Sequence, residues 1–265
     1  MAKPTVQEVQ FDSRVLGKPM KMLVYLPAAY DGATPLPVLY FLHGRSGDET
    51  ILLELGIDSK AERMIQDGAM KPVIIVCPRI ENSRGINSSL SCEKIAGSGA
   101  GDFMIHLGMY EDYFIEEIVP MVDSMFATIR DKQGRYVGGV SGGGYAALHN
   151  AFRHQDLFSK VGGHMPAIEL SLEEEDRPFF KDASIWKKYD PISIAKNTRI
   201  SSDFSVYLDA GDQDEGQFYK GCALLQEILD AKGIRCQNAV FPGHHNAAYL
   251  KSNLEKYLAF YGSPC

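Results

Sequence analysis

Short apolar runs recur along the chain, each closed by Gly, Pro or a small polar residue. Met20 to Leu26 stops at Pro27, Val38 to Leu42 runs into His43-Gly44, and Val73 to Cys77 ends at Pro78. Tyr136 to Val140 ends at Ser141, Phe204 to Leu208 at Asp209-Ala-Gly, and Cys236 to Phe241 at Pro242-Gly243. Runs that stay apolar, instead of alternating with polar residues, predict strands buried on both faces, as in a parallel sheet covered by helices. Between them the apolar positions take up helical spacing. Ile57 to Ala69 puts Ala61, Met64 and Ile65 on one face. Tyr110 to Phe126 does the same with Phe114, Ile118, Met121, Val122 and Met125, and Pro120 inside it implies a kink or break. Gly142 to His154, Phe218 to Lys232 and Ala247 to Tyr261 complete the set.

The alternation of strand and helix predicts one doubly wound α/β domain over residues 1–265, with a mostly parallel central sheet and helices on both faces. Two stretches follow neither period. Residues 79–109, which include Gly-Ser-Gly-Ala-Gly at 97–101, and residues 165–203 read as irregular pocket or lid insertions. The second holds an acidic cluster (Glu173, Glu174, Glu175, Asp176), the single tryptophan Trp186, and Tyr189.

Composition narrows the function classes. The chain has 265 residues, 45% of them hydrophobic and 23% charged, which is ordinary for a globular protein and unlike a disordered, collagenous or coiled-coil chain. A net charge of -7 repels phosphate backbones and anionic lipid, so neither nucleic acid nor a membrane is expected as partner. The opening residues carry no apolar signal segment, and no apolar run approaches membrane length. Five scattered cysteines (Cys77, Cys92, Cys222, Cys236, Cys265) without metal-ligand spacing suit reduced thiols, and the expected location is cytoplasmic.

The segment Tyr136 to Tyr145 carries the chemistry. Within it, Gly139-Val140-Ser141-Gly142-Gly143 has the Gly-x-Ser-x-Gly pattern, set between a buried-strand run and a helical run. A nucleophile at the tip of a sharp strand-to-helix turn sits in strained backbone, and side chains two positions to either side would collide. A glycine-rich turn that only packs or binds phosphate is the bland alternative. Serine needs a base at neutral pH, and the base needs an orienting partner. Partners in the order Ser, Asp/Glu, His belong on loops after later strands. Asp209, Asp212 and Asp214 follow one such strand, and His244 and His245 follow another. From the residues alone, any of the three carboxylates and either imidazole qualifies. Two N–H donors for an oxyanion are also required. The Gly142 amide is one. The loop Phe41-Leu-His43-Gly44-Arg45-Ser46-Gly47 supplies the other, from Arg45 with Ser46 as the fallback. His43 is expected to tie that loop by a side-chain bond.

These residues resemble the putative-esterase branch of the α/β-hydrolase superfamily, the group around esterase D, feruloyl esterases and enterochelin-type esterases. The resemblance covers most of the chain and includes Leu42-His43-Gly44, the helix from Tyr113 to Phe126 with Ile118-Val-Pro120, and Arg135-Tyr136-Val-Gly-Gly leading to Ser141. Gly211-Asp-Gln-Asp214 is similar to the family's Gly-x-x-Asp turn, which implies Asp214 as the acid. Pro242-Gly243-His244-His245 is similar to its Pro-Gly-Gly-His turn, which implies His245 as the base, with Tyr249 at the usual aromatic position. The chain departs from the family at Gly142, usually Met, and at Ala247, usually aromatic.

The resemblance implies an α/β-hydrolase fold and a serine esterase. Its Ser-His-Asp triad would cleave a small-molecule carboxylic ester through an acyl-enzyme, with no cofactor and no metal. Acyl transfer on the same triad, or a catalytically silent binding module, are the alternatives. Among the remaining residues, His149 and His154 are expected to pack or face solvent, His164 to be a core histidine or a pocket wall, and His106 to lack a readable partner. Cys77 and Cys222 are expected to be inert. Tyr110, Phe179, Phe180, Trp186 and Tyr189 would suit an aromatic or siderophore-like acyl group or equally serve as lid packing. The sequence leaves the ester and the oligomeric state open.

Overall fold

The computed structural model describes residues 3–97 and 103–263. The predicted apolar runs form strands whose ends lie within three residues of those expected. In chain order the strands are β1 (Thr5–Ser13), β2 (Lys18–Leu26), β3 (Val38–Leu42), β4 (Ile74–Pro78) and β5 (Glu93–Ala96). They continue with β6 (Met104–Leu107), β7 (Arg135–Val140), β8 (Lys160–His164), β9 (Ser205–Gly211) and β10 (Arg235–Phe241). Eight of them make one sheet in the order β1-β2-β4-β3-β7-β8-β9-β10. Pairing is antiparallel at β1/β2 and β2/β4 and parallel from β4 through β10.

The helices are α1 (Ile51–Glu54), α2 (Ile57–Gln66), α3 (Tyr110–Asp112), α4 (Val119–Met125) and α5 (Gly142–Arg153). They are followed by α6 (Ala183–Tyr189), α7 (Pro191–Asn197), α8 (Tyr219–Ala231) and α9 (Ala247–Gly262). Strand side chains alternate between the two faces of the sheet, so each strand feeds two cores. Val38, Tyr40 and Leu42 of β3 join Phe114, Val122, Leu148, Phe152 and Leu225 on one face. Leu39 and Phe41 join Ile57, Met64, Leu254 and Leu258 on the other. Burial on both faces is why these strands read as unbroken apolar runs. Among the described residues, no helix is long and apolar enough to cross a membrane.

Three expectations need correction. Residues 79–109 are not wholly irregular, because β5 and β6 pair as a separate antiparallel hairpin. The glycine-rich 98–101 part of that stretch lies outside the described residues, as does Cys265. Residues 165–203 contain α6 and α7. Each begins on an aspartate cap, Asp182 accepting from the Ser184 and Ile185 amides and Asp190 from the Ile192 and Ser193 amides, with Pro191 opening α7. The break expected at Pro120 is a π-helical turn over Tyr113–Ile118 that runs straight into α4. Proline has no N–H to give the preceding turn, and the wider turn is the adjustment the helix makes.

Behind α5 lies a buried charge cluster that stabilises this face. The Glu111 carboxylate accepts from His149 Nε2 at 3.0 Å, Arg153 Nε at 2.8 Å and His154 Nε2 at 2.8 Å. Burial alone would raise this carboxyl, but its three donors outweigh that and hold it well below the usual range. His149 and His154 are therefore structural, as expected. Glu111→Gln leaves donors facing a side-chain amide and is expected to cost on the order of 3 kcal/mol, read as a lower melting temperature at pH 7. A carboxyl depressed in the folded state contributes stability above its unfolded value of about 4.5, and that contribution is lost as pH falls. The gap between wild type and variant should thus narrow on acidification below about pH 4.5.

Candidate active site

Ser141 terminates β7 and caps α5 with φ 53° and ψ -120°, a conformation that L residues rarely adopt. The glycines around it explain how the turn closes. A Cβ on Gly143 would lie 2.3 Å from the carbonyl oxygens of both Leu42 and His43, and one on Gly139 would lie 2.5 Å from the Gly143 carbonyl oxygen. Those are backbone atoms that have nowhere to go. These distances are the collision that the motif predicts. Other non-glycine residues with positive φ gather around the same turn, including Ser46 at 60°, Glu81 at 51°, Arg84 at 58° and Met165 at 47°. Such concentration of backbone strain is characteristic of functional sites.

Two later loops meet Ser141. Its hydroxyl donates to His245 Nε2 at 2.9 Å, and His245 Nδ1–H donates to Asp214 Oδ2 at 2.9 Å. Asp214 is buried, and its other oxygen accepts from the Gly216 amide at 2.9 Å. The loops after β9 and β10 interlock so closely that a Cβ on Gly211 would sit 2.1 Å from the Gly243 carbonyl oxygen. The alternatives left open by the sequence lie elsewhere. Asp212 accepts from the Gly243 amide at 2.9 Å and braces the turn. His244 is exposed and faces Glu215, whose second oxygen accepts from the His245 amide at 3.2 Å. Asp209 is fully buried beneath the site, where it accepts from Tyr249 and Tyr257 hydroxyls and pairs with His164 Nδ1 at 3.1 Å. His164 is therefore a core histidine, stacked on Tyr257 with ring centroids 3.7 Å apart.

The loop expected to supply the second oxyanion amide follows the end of β3. A Cβ on Gly44 would lie 3.2 Å from Ser141 Cβ, and one on Gly142 would lie 3.9 Å from the Arg45 nitrogen, so the Arg45 and Gly142 amides flank the serine. The Ser46 amide is taken, donating to Asn82 Oδ1 at 2.7 Å. His43 holds the loop as expected. Its Nε2 accepts from the Ile80 amide at 2.9 Å and its Nδ1–H donates to the Gly44 carbonyl, while burial lowers its pKa and keeps it neutral.

A cavity beside Ser141 is lined by Ile80, Asn82, Ile105, Ala167 and Phe179, with Arg84 and Asp176 at its inner wall. Arg84 is buried and donates to Asp176 Oδ2 at 2.6 Å, Glu169 Oε1 at 3.1 Å and the Ala167 carbonyl at 2.8 Å. Burial lifts both carboxyls above their ordinary range against the pull of that guanidinium. Arg45 also lines the cavity: its guanidinium pairs with Glu175, one bond being 3.1 Å, and lies 4.5 Å from the Phe103 ring centroid. Sequence reading missed Phe103 and the pairing role of Glu175. Of the aromatic residues it proposed for the pocket, only Phe179 lines it. Tyr110, Phe180 and Trp186 pack in the core, and Tyr189 stacks on His149. The Cys77 and Cys222 thiols are buried and pushed far up in pKa, which leaves them unreactive.

The profile described as "Putative esterase" matches residues 13–261. The chain belongs to the putative esterase family. An endo-1,4-beta-xylanase/feruloyl esterase from Xylanibacter ruminicola is 30% identical over 166 residues, covering 59% of this chain and 21% of that protein. The chain thus spans about a fifth of the curated relative it matches. Among solved structures, a ferulic acid esterase superposes with TM-score 0.80 at 22% identity, covering 99% of this chain and 98% of the other. An S-formylglutathione hydrolase (FrmB) from Staphylococcus aureus gives 0.74 at 20% identity, covering 98% and 99%. At these identities the likeness shows the fold, and the fold is that of the α/β-hydrolase esterases.

Proposed function

We propose that this member of the esterase family hydrolyses carboxylic esters through an acyl-enzyme, with Ser141 as nucleophile, His245 as base and Asp214 as its orienting acid. The observation that carries the reading is the unbroken hydrogen-bonded path Ser141–His245–Asp214, two links of 2.9 Å from three loops distant in sequence. As Ser141 Oγ bonds to the acyl carbon, its proton passes to His245 Nε2. Asp214 accepts Nδ1–H throughout, which fixes the tautomer and stabilises the imidazolium. The carbonyl oxygen gains a negative charge that the Gly142 and Arg45 amides meet, each donor being worth about 3 kcal/mol of barrier. The tetrahedral adduct then expels the alkoxide, which takes the His245 proton. Water attacks the acyl-serine by the same steps, and the acid and free enzyme are released.

The test is direct. A fluorophosphonate probe is expected to label the wild-type protein and not Ser141→Ala, and turnover of simple esters should track the labelling. A wild-type protein that neither labels nor hydrolyses any ester in a broad panel would overturn the reading. The same result would favour a silent binding module.

A further inference from the structure

The turn expected to carry the second oxyanion amide is exposed over Arg45, Ser46 and Gly47, so packing alone does not fix its shape. Hydrogen bonds fix it instead. The Gly44 carbonyl accepts from His43 Nδ1–H at 2.9 Å and from the Gly47 amide at 3.1 Å. That carbonyl and the Arg45 N–H are opposite ends of one trans peptide, so anchoring the first aims the second. The Arg45 nitrogen lies near the start of α5, 3.9 Å from where a Cβ on Gly142 would stand.

The next peptide unit is anchored from outside the loop. Its N–H belongs to Ser46 and donates to Asn82 Oδ1 at 2.7 Å. Ser46 has φ 60°, a left-handed conformation that is unfavourable for an L residue unless something holds it. Rotating that peptide back to negative φ would relieve Ser46 and shift the turn that presents the Arg45 N–H. The bond to Asn82 opposes the rotation.

Asn82 is itself fixed by β6. Its Nδ2 donates to the Met104 carbonyl at 2.7 Å, its main-chain amide donates to His106 Nδ1 at 3.4 Å, and its carbonyl accepts from the His106 amide at 3.1 Å. The side chain thus spans a main-chain donor and a main-chain acceptor, and their fixed polarity decides which end of the amide is oxygen. Aspartate would turn a second acceptor on the Met104 carbonyl, and alanine reaches neither partner.

Building on the ester-hydrolase reading above, we propose that Asn82 is a positioning residue, which locks Ser46 in its left-handed conformation and so keeps the Arg45 amide aimed at the developing oxyanion. The effect runs through the turn and is felt as charge builds on the carbonyl oxygen. It therefore belongs to kcat and not to KM.

The experiment compares wild type, Asn82→Ala, Ser46→Gly and the double variant on p-nitrophenyl acetate, with kcat and KM separated and a thermal melt of each. Asn82→Ala is expected to lower kcat by roughly tenfold or more, with KM within about twofold. Glycine takes positive φ without the penalty that serine meets. Ser46→Gly should therefore raise kcat about fivefold more in the Asn82→Ala background than in wild type. That rescue separates the proposal from a simple tether of the hairpin, since a lost Met104 bond is not mended by a change at position 46. Should Asn82→Ala melt below the assay temperature, Asn82→Ser, too short to span both partners, carries the same expectations. The proposal is overturned if the variant keeps kcat within about twofold, if its loss lies in KM, or if Ser46→Gly brings no extra gain. Failure of the ester-hydrolase reading looks different: wild type would then be no faster than Ser141→Ala, and this proposal falls with it.

Discussion

Ser141→Ala is expected to lower kcat on a good ester by on the order of 10⁶, leaving only what the oxyanion donors and binding supply. The size follows from the site's construction. Ser141 Oγ is the group that His245 Nε2 addresses at 2.9 Å, and the cysteines Cys77 and Cys222, which are other potential nucleophiles, are buried with their thiols held protonated. The change removes one atom and keeps the Cβ against which Gly44 packs. The melting temperature should therefore stay within about 2 °C, which separates lost chemistry from lost structure. Steady-state kinetics and a thermal melt on the same sample check both halves. Turnover surviving within tenfold would remove Ser141 from the mechanism.

Asp214→Asn is the second large effect, a fall in kcat of about 10⁴. The carboxylate accepts His245 Nδ1–H and so leaves Nε2 free to accept from the serine. An asparagine turned to satisfy the Gly216 amide presents its NH₂ to the ring. The imidazole then holds its proton on Nε2, facing Ser141, where it is useless as a base. Asp212 provides the control. Its bond to the Gly243 amide survives in Asp212→Asn, because an amide oxygen still accepts, so that variant should stay within about tenfold of wild type. Equal losses at the two positions would move the acid away from Asp214. Both variants are best measured on one ester under identical conditions.

Strands buried on both faces were legible because burial leaves an uninterrupted apolar record, and β3 was read to the residue. β1 was missed. It is an exposed edge strand, Thr-Val-Gln-Glu-Val-Gln-Phe-Asp-Ser, paired on one side only, and its apolar positions are too few to stand out. The hairpin β5/β6 escaped for a similar reason: four-residue, mostly exposed strands carry almost no period. Helices α6 and α7 did leave a signal in Asp182 and in Asp190-Pro191, a cap and a first-turn proline that were passed over because the apolar spacing around them is short.

Within the site, Ser141, Gly142 and Arg45 came from local turn chemistry, which is written in neighbouring letters. The choice between Asp209, Asp212 and Asp214, or between His244 and His245, was not, since only three-dimensional packing decides which imidazole faces the serine and which carboxylate faces that imidazole. The family resemblance pointed to Asp214 and His245, and the hydrogen bonds fall on the same pair. Phe103 and the pairing of Glu175 with Arg45 had no local signature. They meet Arg45 across 58 and 130 residues respectively, and nothing in either segment alone announces the encounter.

The close approach of backbone at Gly139, Gly143 and Gly211 bears on how this protein can be redesigned. Atoms of the main chain fill the space where a methyl group would stand, so compensating side-chain changes nearby cannot restore those positions once altered. Combinatorial libraries should leave all three untouched and place their diversity at 103, 175 and 179, where flexible side chains, and not peptide carbonyls, form the boundary.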